Sequence, residues 1–119
     1  MSALLNKEKI LAKAIFNVAQ QLEIEQDRLF IILGISLPLL KSSNDDFKLD
    51  PLSQEGKRAL SLIRIYQVLY TLCGGDVDWM RYFMNSNNVA TKGIPIQQIE
   101  TVNGLQIVLQ YLDEVQIHV

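Results

Sequence analysis

The chain is 119 residues long, 49% hydrophobic and 20% charged, with a formal net charge of −2. That length suits one domain with a real core. The acidic balance excludes a global attraction for nucleic acid or anionic lipid, so any DNA contact needs a local basic patch.

The elements then follow in chain order, nearly all of them helical. Residues 7–22, "KEKILAKAIFNVAQQL", put Ile10, Ala14, Val18 and Leu22 on one stripe, with Leu11, Ile15 and Ala19 beside it. A short helix over 26–33 follows, with Leu29, Ile32 and Leu33 as its apolar face and Gly34 as its stop. Ser36 caps a further helix over 36–43, where Pro38 is tolerated because first-turn N–H groups have no helical partner. Residues 41–56, "KSSNDDFKLDPLSQEG", read as a loop or hinge pinned by Phe47, Leu49 and Leu52.

The helix expected over 57–73, "KRALSLIRIYQVLYTLC", is the most apolar segment. Ala59, Leu62, Ile63, Tyr66, Leu69, Tyr70 and Cys73 form a wide stripe, and Leu60, Ile65, Val68 and Leu72 extend it around the cylinder. A helix apolar on nearly all sides is either central in its own domain or shared with a second copy, so a homodimer seam is expected as one option. "GGD" then supplies a glycine stop and an Asp cap for a helix over 77–86. Pro95 opens a short helix over 95–100, and Thr101 caps the last helix, with Leu105, Val108, Leu109 and Leu112 as its buried line. Gly104 falls in that helix's first turn, where glycine costs about 1 kcal/mol relative to alanine. Close approach of the 95–100 helix is the expected reason for it. The fold class is all-α.

Chemistry is sparse. The single cysteine, Cys73, excludes an intramolecular disulfide, and the single histidine, His118, is next to last in the chain. Cys73 at the end of a helix faces its negative pole, which disfavours a thiolate, so core cysteine and solvated tail histidine are the preferred reading over a nucleophilic pair. Asp45/Asp46 and Asp76/Asp78 lack the further oxygen ligands of a calcium loop and read as turn former and cap. Trp79, Tyr82 and Phe83 lie beside Met80 and Met84 at helical spacing and read as core. No catalytic residue, metal or cofactor is expected. No stretch reaches the length of a membrane span, and the opening residues lack a secretory pattern, so a cytoplasmic location is expected. The helix–Gly–helix outline of 26–43 fits a helix-turn-helix as well as a routine corner of a helical bundle. On the first view Gln26, Ser36, Leu37, Lys41 and Ser42 are the candidate DNA contacts.

The ordered motifs from "LIRIYQVLYTLCGGDVDWMRYFMNSNN" to "GIPIQQIETVNGLQIVLQYLDEV" resemble the toxin-binding domain of Xre/MbcA/ParS-type antitoxins. The residues carrying the likeness are Arg64, Tyr66, Gly74, Gly75, Trp79, Asn85, Gly93, Pro95, Ile99, Thr101, Gly104, Leu105, Val108, Tyr111, Leu112 and Asp113. The N-terminal half is similar to the Xre-like helix-turn-helix that precedes that domain. The resemblance implies a helix-turn-helix region over 1–56 and a toxin-binding domain over 57–119. It implies the antitoxin of a bacterial type II pair, dimeric through the 57–73 helix, covering the active site of a RES-domain toxin that destroys NAD and repressing its own operon at operator DNA. Thr101, Gly104, Tyr111, Asp113, Gln116, Ile117 and His118 are then the candidate toxin contacts. The alternatives from other classes are a DNA-binding repressor without a toxin partner and a small catalytic protein using Cys73 and His118.

Overall fold

The computed structural model describes residues 2–35 and 48–117, with side chains from Asn6 onward. Its described residues form α1 (Ser2–Gln21), α2 (Gln26–Leu33), α3 (Gln54–Leu72), α4 (Val77–Asn85), α5 (Pro95–Gln98) and α6 (Val102–Ile117). Among them the only β-type pairing is an isolated antiparallel bridge between Asn88 and Gly93. The all-α expectation therefore holds. The helix expected over 36–43 lies outside the described residues, as does the anchoring residue Phe47.

Three helices end in the same way. At each end one N–H reaches back five residues and the preceding N–H reaches back three, around a residue in left-handed backbone. Ile35 N–H donates to the Phe30 carbonyl around Gly34, and Gly75 N–H donates to the Tyr70 carbonyl around Gly74. These are the two expected glycine stops. The third, at the end of α1, uses Glu23 at φ 56°, a position that favours glycine and gives no sequence signal here. Glu23 is held by Arg81 of α4 at 2.9 Å, and the Arg81 Nε–H also donates to the Gln21 carbonyl.

Helix α3 begins three residues earlier than the periodicity suggests, because Ser53 caps it. The Ser53 Oγ accepts from Gly56 N–H and donates to the Asp50 carbonyl. Thr101 repeats this arrangement at α6: its Oγ1 accepts from Gly104 N–H at 3.0 Å and donates to the Gln98 carbonyl at 3.2 Å. In both places a Cβ on the glycine would overlap the carbonyl oxygen that the hydroxyl bonds, Asp50 in one case and Gln98 in the other. Gly104 is thus buried against the end of α5, as its expected role requires.

One apolar cluster joins all six helices. Helix α3 runs through its centre and packs against α1, α2, α4 and α6, with Ala59, Leu62, Ile65, Val68 and Leu69 buried. Its own neighbours cover most, though not all, of its apolar girth. The division expected at 56/57 falls inside the first turn of α3. Several stripe positions differ from the expected ones. On α1 the buried set is Leu11, Ala12, Ile15, Val18 and Ala19, joined by Leu22 just past its end, while Ile10 faces solvent. Leu60 and Tyr70 of α3 and Leu52 before it are also exposed, whereas Leu49 is buried as expected. Periodicity gives the helix, but where apolar residues outnumber one face, only the neighbouring elements decide which stripe is covered.

Candidate functional site

The C-terminal ends of α3 and α6 and the length of α4 enclose a cleft of about 350 Å³. Leu69, Leu72 and Cys73 come from α3 and its cap, Phe83 from α4, and Tyr111, Leu112 and Val115 from α6. Phe83 and Tyr111 stack nearly parallel across it, with ring centroids 6.4 Å apart. Trp79 and Tyr82 stand at its outer wall in an edge-to-face pair, 62% and 65% exposed.

This overturns the core reading for Trp79 and Tyr82, whereas Phe83 is partly buried and packs against the core as expected. Met80 and Met84 occupy the core, and the stripe carrying Trp79 and Tyr82 faces outward. The register of α4 is set by Asp76, whose carboxylate accepts from the N–H groups of Asp78 and Trp79 at 3.0 and 3.4 Å. It is fixed further by Arg81, which is drawn toward Glu23. Sequence reasoning missed the outward face because both α4 stripes are apolar and share the same spacing. The Arg81–Glu23 pairing that helps choose the face is visible only in the folded chain.

The candidate toxin contacts do not form a single patch. Thr101 and Gly104 build the α5–α6 elbow, with Thr101 exposed and Gly104 buried. Tyr111 borders the cleft, and Gln116 and the exposed Ile117 lie in the last turn of α6. Asp113 points elsewhere, reaching Arg64 of α3 at 3.3 Å. That pair lacks hydrogen-bond geometry and is half-exposed, so it contributes only about 0–1 kcal/mol. Asp113→Asn is therefore expected to leave the urea-unfolding midpoint nearly unchanged. A loss of toxin affinity in that variant would then report direct contact. His118 lies outside the described residues. Of the candidate DNA contacts, Gln26 is exposed at the start of α2, and Ser36, Leu37, Lys41 and Ser42 lie outside the described residues.

Cys73 is half-buried in the cleft wall, and its thiol is pushed above the ordinary value by burial and then by the neighbouring Asp76 carboxylate. A raised thiol pKa keeps the proton on sulfur at neutral pH, and the thiolate is the reactive form. Iodoacetamide should accordingly modify native Cys73 more slowly than it modifies the unfolded chain at pH 7–8, with the difference narrowing at higher pH. Equal rates at pH 7.5 would contradict this environment. Among the described residues no group of three or more His, Cys, Asp or Glu side chains could hold a metal ion. No helix among them is long and apolar enough to cross a membrane.

Residues 66–116 match the antitoxin Xre/MbcA/ParS C-terminal toxin-binding domain. The matched segment runs from within α3 to the last turn of α6 and contains every residue that lines the cleft. No curated protein matches the chain. The family similarity supports an antitoxin role and a toxin as partner.

Proposed function

We propose that this chain is the antitoxin of a type II toxin–antitoxin pair and that its partner is a RES-domain toxin that degrades NAD. The observation that carries the proposal is the match over residues 66–116, whose segment contains both the α5–α6 elbow and the exposed cleft. Inhibition works by occlusion. Helix α6 and the cleft cover the toxin's active-site entrance, and the chain supplies no catalytic group. Affinity comes from apolar and aromatic anchors, Tyr111 first among them, surrounded by polar contacts from Gln116 and the tail.

Residues 1–56 act in this account as an operator-binding region, with Gln26, Ser36, Leu37, Lys41 and Ser42 as its candidate DNA contacts, and 57–119 as the toxin-binding region. The division is one of function, since both parts share one core. Pairing of two copies along α3 uses the stripe that the chain itself leaves uncovered, Leu60, Arg64, Gln67 and Tyr70.

The decisive experiment expresses this chain together with a RES-domain toxin encoded beside it, reading growth and cellular NAD. Growth and NAD should both return to the level of toxin-free cells. Arrest and NAD loss that persist despite full expression of this chain would overturn the proposal. A mobility shift on the chain's own promoter tests the repression component separately.

A further inference from the structure

Trp79 and Tyr82 belong neither to the core nor to a cap, yet they hold a defined mutual geometry. Their centroids are 5.8 Å apart at an interplanar angle of 82°. The pair forms a wall between two concavities. On one side is the apolar cleft lined by Leu72, Phe83 and Tyr111. On the other is a shallow depression of about 470 Å³ lined by Asp76, Asp78, Trp79 and Tyr82 alone. The cation nearest in sequence does not fill this depression. Arg81 is engaged by Glu23 and the Gln21 carbonyl, and it approaches Asp78 only at 3.9 Å. The matched segment as a whole holds five carboxylates against two basic side chains, Arg81 and Lys92.

We infer that the Trp79–Tyr82 wall is the seat of an arginine on the partner protein, with an adjoining apolar side chain of the partner lying in the cleft. An aromatic face attracts a cation, and carboxylates beside it add a second attraction for the same group. Arginine fits better than lysine because its planar guanidinium stacks on an indole and presents paired N–H donors to a carboxylate. The apolar cleft alone would accept any hydrophobe. The acidic side of the same wall gives the seat its preference, and the net charge of the segment has the sign that an arginine-bearing partner face complements. The inference deepens the antitoxin reading, on which the identity of the partner rests, by naming the chemistry of the partner's contact segment.

The test uses NMR on the full chain, in which Trp79 is the single tryptophan. The probes are a blocked hexapeptide of alternating leucine and arginine and the same peptide with citrulline in place of arginine. The Trp79 indole N–H and the amides of 76–82 should shift saturably with the arginine peptide. Binding of the citrulline peptide should be about tenfold weaker. Asp76→Asn/Asp78→Asn should weaken arginine-peptide binding to a similar degree while keeping α4 capped, because asparagine caps as well as aspartate. Trp79→Ala should abolish it without lowering the melting temperature. Equal binding of the two peptides, or no localised shift, overturns the inference. A RES-domain toxin that binds wild type and Trp79→Ala equally also overturns it, and leaves the antitoxin reading standing. Binding of the arginine peptide with no complex from the toxin has the opposite meaning: the seat stands and the antitoxin reading falls.

Discussion

Gly104→Ala is expected to lower stability by about 1–3 kcal/mol, although helix propensity alone would have it gain about 1 kcal/mol. The reversal of sign comes from position. Gly104 is the third residue of α6, its N–H bonds the Thr101 hydroxyl, and its Cα lies against the Gln98 carbonyl that the same hydroxyl bonds. A methyl group there overlaps backbone, which has no rotamer to escape into, so α5 and α6 must separate. The loss should appear as a lower urea midpoint with unchanged slope, and an unchanged or raised midpoint would contradict the account. Gly104→Leu should lose more stability and should also lose toxin neutralisation, because the displaced part is the elbow that directs α6. Gly56→Ala provides an internal comparison, since Ser53, Gly56 and Asp50 repeat the arrangement at α3.

Ile65→Ala should cost about 2–5 kcal/mol, the range for emptying a buried aliphatic site. Ile65 is fully buried on α3, the helix that packs against four others. Leu60→Ala, on the same helix but 46% exposed, should change the stability of the single chain at low protein concentration by no more than about 0.5 kcal/mol. The pair of variants separates burial within the chain from pairing of two copies, which Leu60→Ala should weaken in sedimentation at high concentration. Comparable losses at both positions at low concentration would contradict a core that the single chain completes.

Much of the fold was legible because it follows from local chemistry. Gly34 and Gly74 stop their helices, Asp76 and Thr101 cap theirs, and Pro95 opens α5, all through bonds within a few residues. The errors arose where apolar residues exceeded what one helix face buries. Ile10, Leu60, Tyr70, Trp79 and Tyr82 satisfy helical periodicity and still face solvent, because tertiary neighbours choose among adjacent apolar stripes. The left-handed Glu23 at the end of α1 was illegible for a different reason. Its partner, Arg81, stands 58 positions away in the chain, and nothing local marks the pairing.

The candidate site divided along the same line. The elbow of Thr101 and Gly104 could be anticipated from residue type and spacing, and Tyr111 does border the cleft. The cleft's other walls, Leu72, Cys73, Phe83 and the Trp79–Tyr82 pair, come together only through the packing of α3, α4 and α6. Asp113 is drawn by Arg64 away from the cleft that Tyr111 borders.

The central claim, that α6 and its cleft close a toxin's active site, is tested most directly by following NAD loss catalysed by a purified RES-domain toxin as this chain is added. NAD loss should stop at saturating wild-type chain. Tyr111→Ala should require at least about tenfold more protein for the same inhibition, as expected for an aromatic anchor. NAD consumption that continues unchanged in excess wild-type chain, or inhibition by Tyr111→Ala equal to that of wild type, would contradict it.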